Sequence, residues 1–128
     1  MCIRDRDEYR KEWALRFLRE AKAELEAARN IPYMAPRFVL EAVKKAQSAI
    51  YYSLGEPAFI ENLVKEEREK KQTVNDPVLN CLIGVEDAVQ RLMRQELLDG
   101  ERALERAQGL VQLASEIVET LVGEKLED

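Results

Sequence analysis

Apolar residues recur along this chain every three or four positions, and that spacing predicts helices almost throughout. From Asp7 to Arg29, Ala14, Phe17, Leu18, Ala21, Leu25 and Ala28 share one helical face, while Glu8, Glu12, Arg19, Lys22 and Glu26 lie opposite. The stretch NIPYMAP (30–36) carries two prolines, which break the first helix. A second helix is expected from Arg37 to Leu54, with Val39, Ala42, Val43, Ala46, Ala49, Ile50 and Ser53 on one arc. Its small residues allow a neighbouring helix to approach closely. LGEP ends it: Gly55 suits a left-handed cap and Pro57 the first position of the next helix.

Residues 57–72 begin apolar and end as KEEREKKQ. The expected third helix docks through Phe59, Ile60, Leu63 and Val64, and its outer turns carry Glu61/Lys65, Glu66/Lys70 and Glu67/Lys71 in the favourable order, each pair contributing about 0.2–0.5 kcal/mol on an isolated helix. TVNDP supplies a turn, a cap at Asn75 or Asp76, and Pro77 to open a fourth helix running to about Leu98. Asp99-Gly100 separates it from a fifth helix ending near Val122. An antiparallel hairpin is the favoured arrangement over one continuous helix, whose apolar face would be left uncovered.

The last two helices are apolar over more than a one-sided stripe. Val78, Leu79, Leu82, Val85, Val89, Leu92, Met93 and Leu97 cover nearly half of helix 4, and Leu104, Ala107, Leu110, Val111, Leu113, Ala114, Ile117, Val118 and Leu121 do the same for helix 5. Either the hairpin sits centrally or a second copy covers it. The homodimer is the economical solution, because two-fold dimers are the commonest closed assembly. Leu92, Met93, Leu110, Ile117 and Tyr52 are the candidate interface residues.

Composition narrows this all-α reading to an antiparallel four-helix bundle with an additional short helix, one domain over residues 7–126. At 128 residues, with 5 glycines and 4 prolines, the chain is long enough to bury a core without staples. It lacks an 18-residue apolar run and a charged-then-apolar leader, so neither a membrane span nor secretion is expected and the cytoplasm is the default location. The opening MCIRDR back-translates to a sequence resembling a transposon-end adaptor used in sequencing libraries. On that reading Met1 is not the native start, residues 1–6 are a leader outside the fold, and Cys81, expected in the core, is the one native cysteine.

Charge is uneven. Residues 1–50 carry 11 Lys/Arg against 8 Asp/Glu, whereas the remainder carries 9 against 17, within a net charge of −5. The acidic total disfavours a dedicated nucleic-acid binder. Arg19, Lys22 and Lys44 are the candidate contacts if the basic half binds nucleic acid, but Glu8, Glu12, Glu20 and Glu26 share that side.

Histidine is absent, which removes Ser-His and Cys-His nucleophiles, histidine zinc helices and Glu-x-x-His di-iron sites; no glycine-rich phosphate loop occurs either. The expectation is therefore a non-enzymatic protein with no metal or cofactor. Carboxylates remain: Glu86 projects within the apolar arc of helix 4 and Glu96 beside it, a candidate polar site. A buried carboxylate needs partners, so the alternatives are a polar pocket, a boundary residue reaching solvent, or an intersubunit ion pair.

The stretch RFLREAKAELEAAR…RFVLEAVKKAQSAIYYSLGEP, through Ala21, Leu25, Ala28 and the alanine-rich run Ala42–Leu54, resembles the HEPN superfamily of small prokaryotic helical bundles over about residues 14–60. Ribonuclease members of that family use an Arg-x4-6-His motif. Here Arg91 and Arg94 are followed by no histidine, so that catalysis is not implied. The resemblance implies a dimeric bundle akin to the non-catalytic, partner-binding members, with a nucleic-acid-associated accessory protein or degenerate ribonuclease as the alternative.

Overall fold

The structure, a computed structural model, describes residues 3–70, 75–95 and 100–123, with the side chains of residues 3–6, 95 and 100 outside the description. Among the described residues it is all-helical: α1 (Ile3–Asn30), a 3-10 turn (Pro32–Met34), α2 (Ala35–Leu54), α3 (Pro57–Lys70), α4 (Pro77–Gln95) and α5 (Gly100–Val122). None of these helices is long and apolar enough to cross a membrane.

The expected elements all form, with shifted ends. α1 begins at Ile3 rather than Asp7, so residues 3–6 continue the helix. Pro36 sits in the first turn of α2, where a missing N–H removes no helical bond. Gly55 ends α2 in an extended conformation, φ 168° and ψ −146°, with its N–H bonded to the Tyr51 carbonyl, so the left-handed cap expected there does not form. Asp76 is the cap of α4: its Oδ1 accepts from the N–H groups of Val78 (2.9 Å) and Leu79 (3.4 Å).

α2 is the hub. It touches every other helix, most extensively α1 and then α5, whereas α4 and α5 barely meet. Proximities give the directions. The start of α1 and the ends of α2 and α5 share one recess lined by Arg10, Ser53 and Val122. The start of α4 stands beside the end of α5, with Val78 and Leu121 lining one groove. Thus α1 and α4 run opposite to α2 and α5. The turn expected at 99–100 includes residues outside the description; the two helices it joins are antiparallel, but they form a loose pair rather than a close-packed hairpin.

The core follows from the helical spacing. Ala14, Leu18, Ala21, Leu25 and Ala28 of α1 meet Val39, Ala42, Val43, Ala46, Ala49 and Ile50 of α2, all buried. Alanine on both faces lets these backbones come close and accounts for the extent of that interface. Val85, Val89 and Leu92 of α4, and Ala107, Val111, Ala114 and Val118 of α5, complete it.

Burial corrects several expectations. Cys81 is exposed rather than in the core. Phe59 is 66% exposed, because α3 docks through Val64, with Ile60 and Leu63 only partly covered. α3's outer face carries Glu61–Lys65 at 3.0 Å as expected, but Lys70 pairs with Glu67 at 3.1 Å instead of with Glu66; Lys71 lies outside the described residues. Trp13 joins Tyr9, Phe17 and Tyr52 in an aromatic cluster between α1 and α2, with Arg16 4.8 Å above the Trp13 ring.

Candidate functional site

Two features of α4 stand out chemically, a polar node on its α2-facing side and an apolar groove on its α5-facing side. The node centres on Glu86, which is only 5% exposed. Its Oε1 accepts from Gln47 Nε2 of α2 at 2.7 Å, and its Oε2 accepts from Gln90 Nε2, one turn along α4, at 2.8 Å. The Gln47 amide also donates to Tyr51 Oη at 2.9 Å. Burial, and next the Glu86 carboxylate, push the Tyr51 phenol above its ordinary value.

Glu86 is therefore not a boundary residue reaching solvent. Two neutral amides solvate its carboxylate inside the bundle, and α3 supplies cations at longer range. Lys65 and Arg68 both feel the Glu86 charge, while their direct partners are Glu61 and Asp87. The node closes α4 against α2 and leaves no polar side-chain atom buried without a partner among the described residues. Because a carboxamide both donates and accepts, Gln47 and Gln90 can reorient to match a changed group at position 86. Glu96, the other candidate carboxylate, lies outside the described residues.

The groove runs between the first half of α4 and the second half of α5 and is floored by the end of α2. It encloses about 460 Å³, and Ile50, Leu54, Leu82 and Ile117 line it, with Val78 at its α4 edge and Leu113 and Leu121 at its α5 edge. Val78 is 54%, Leu121 48% and Leu113 39% exposed. Cys81 also opens onto this groove, as do Glu116 and Thr120. The broad apolar arcs of both helices thus have a structural counterpart: α2 buries one side of each, and the sides facing each other remain partly open.

The candidate interface residues divide accordingly. Ile117 lines the groove and Leu110 is half-buried on the same helix. Met93 is exposed, but Leu92 is buried within the chain and does not reach a surface. Tyr52 stacks on Trp13 at the α1/α2 seam, away from α4. Of the nucleic-acid candidates, Arg19 and Lys44 are exposed and Lys22 is half-buried. The neighbouring Lys45 is held by Glu24 (3.0 Å) and Glu20 (3.4 Å), and the Glu24 hydrogen bond leads in raising its pKa. Arg16 pairs with Glu20 at 3.3 Å, so this face is salt-bridged with both signs interleaved.

Sequence reasoning missed Gln47, Tyr51 and Gln90, since none of them titrates near neutral pH. A usable signal existed for Gln90, four residues after Glu86 on the same face. Comparison with known proteins returned no matching family model, no matching curated protein and no matching solved structure.

Proposed function

We propose that this protein is a non-enzymatic, dimer-forming helical bundle that works through protein–protein contacts, and that a second copy occupies the α4/α5 surface. The observation that carries this reading is the open groove between two helices whose edge residues, Val78, Leu113 and Leu121, stand about half exposed. Exposed apolar surface gathered in one place, rather than scattered singly, is the usual mark of an interaction site. A two-fold partner presents the same surface and covers it with no second protein needed.

Magnitudes set the strength of such a contact. Burying the exposed half of Val78, Leu113 and Leu121 contributes about 1 kcal/mol each, or roughly 6 kcal/mol over two copies. That is of the order of the lost rigid-body freedom on association, about 4–15 kcal/mol. The apolar contact of these three residues alone therefore does not hold a micromolar dimer, and the proposal requires further contacts around the groove to supply the remainder.

The HEPN-like relationship belongs to the same proposal. What supports it is the succession of two long antiparallel helices with alanine-rich faces, a short helix and a C-terminal pair. Light scattering across micromolar concentrations tests the reading: wild type is expected to reach dimer mass, and Leu113→Glu, exposed and outside the core, is expected to stay monomeric with unchanged helicity. A wild type that remains monomeric at the highest concentration refutes it.

A further inference from the structure

We propose that the floor of the α4/α5 groove is a binding site for a small hydrophobic cation, an apolar body that carries an ammonium group. This goes beyond the second-copy reading, which rests on the groove's edges. The concavity has a structural cause: α2 packs against both α4 and α5 while those two scarcely touch, so the gap over Ile50 and Leu54 is not closed by the chain's own side chains. About 460 Å³ is left, within the range of roughly 300–1,000 Å³ in which proteins house small molecules. Set face to face across a two-fold axis, two such grooves meet concavity to concavity. Their edges then touch, and both floors stay uncovered.

The lining states what kind of molecule fits. Ile50, Leu54, Leu82 and Ile117 give an apolar floor, whereas Glu116 and Thr120, one turn apart on α5, bring a carboxylate and a hydroxyl to the same rim. Gln112 donates to Glu116 Oε1 at 3.4 Å, a long contact from a neutral amide. The stretches that wall the groove, 46–54 on α2, 77–90 on α4 and 107–122 on α5, contain no lysine or arginine. An amphiphile with a carboxylate or phosphate head would therefore set like charge against Glu116 and find no cation in those stretches. An ammonium head instead donates to the Glu116 carboxylate and the Thr120 hydroxyl while its apolar body covers the floor.

Equilibrium dialysis at dilute protein and neutral pH tests the site with three probes that differ only in their head group: decylamine, decanol and decanoate. Decylamine is expected to bind once per chain, up to about fivefold more tightly than decanol, as a rim ion pair allows, with decanoate weakest. Glu116→Gln, an exposed position whose change leaves the helix intact by circular dichroism, is expected to level the three affinities. Bound decylamine is also expected to slow maleimide modification of Cys81, in a Cys2→Ser background, in proportion to the occupied fraction, because that thiol opens onto the groove. Absence of saturable decylamine binding, decanoate binding as tightly as decylamine, a head-group preference that survives Glu116→Gln, or full Cys81 reactivity under saturating decylamine would each overturn the assignment. None of these results bears on the second-copy reading, which fails separately if wild type stays monomeric in light scattering without any probe.

Discussion

Replacing Glu86 separates what its shape contributes from what its charge contributes. The carboxylate accepts two amide hydrogen bonds, at 2.7 and 2.8 Å, and hydrogen bonds to a charged group contribute about 1.5–3 kcal/mol each. Against them stands the desolvation of an anion that is 5% exposed and held by neutral amides, a penalty of several kcal/mol. The two effects nearly cancel. In Glu86→Gln the charge is gone while the volume stays, and one reoriented neighbouring amide restores both hydrogen bonds; the stability change is expected to lie within about 1 kcal/mol of wild type. Glu86→Ala loses both bonds and the side chain's packing against α2, for an expected loss of about 2–4 kcal/mol. Urea unfolding followed by circular dichroism reads both, as midpoint shifts at constant slope. If Glu86→Gln proves as damaging as Glu86→Ala, then attraction to Lys65 and Arg68 on α3, and not amide solvation, holds the node.

Tyr51 adds a pH dependence. Its phenol is raised in the folded state, so above about pH 10, the ordinary value, the unfolded chain loses a proton that the folded one keeps, and stability falls as pH rises. Tyr51→Phe should flatten that alkaline decline by up to about 1.4 kcal/mol per pH unit, the decline from Lys45 being common to both proteins; identical slopes in urea titrations between pH 9 and 11 would contradict the burial of Tyr51. Asp76→Ala removes the cap of α4 and is expected to lower stability by about 1 kcal/mol, with Asp76→Ser recovering most of it in thermal melts. Cys81 should react with a maleimide in the folded protein at dilute concentration, in a Cys2→Ser background, and more slowly as concentration rises and the groove is covered; an unreactive thiol at every concentration would place it in the core after all.

The α1/α2 core was legible in the sequence because it is periodic. Ala14, Leu18, Ala21, Leu25 and Ala28 repeat at helical spacing, and all five are buried. Phe59 and Cys81 went the other way because each is apolar on a helix whose orientation is a tertiary matter. α3 turns Val64 inward, which carries Phe59 out, and the separation of α4 from α5 uncovers Cys81. The wheel of α4 placed Glu86 inside its apolar arc, and it is buried there. Its partner Gln47 sits 39 residues away on α2, a separation that no local pattern spans. Leu92 shows the same limit: an apolar arc states which residues want cover, not whether their own chain or another supplies it.

The unequal attachment of the helices bears on how the molecule opens. α2 contacts every other element, so its amides exchange with solvent only when the whole chain unfolds, at the full free energy of stability. α4 is held by α2 and α3 and scarcely by α5, so it and α3 are expected to open before α1, α2 and α5. Hydrogen-exchange protection should therefore be highest from Val39 to Tyr51 and lowest, among the long helices, from Val78 to Arg94. Because α4 contributes one wall of the α4/α5 groove, whatever settles there would raise α4's protection toward that of α2, and a local opening equilibrium becomes a gauge of occupancy.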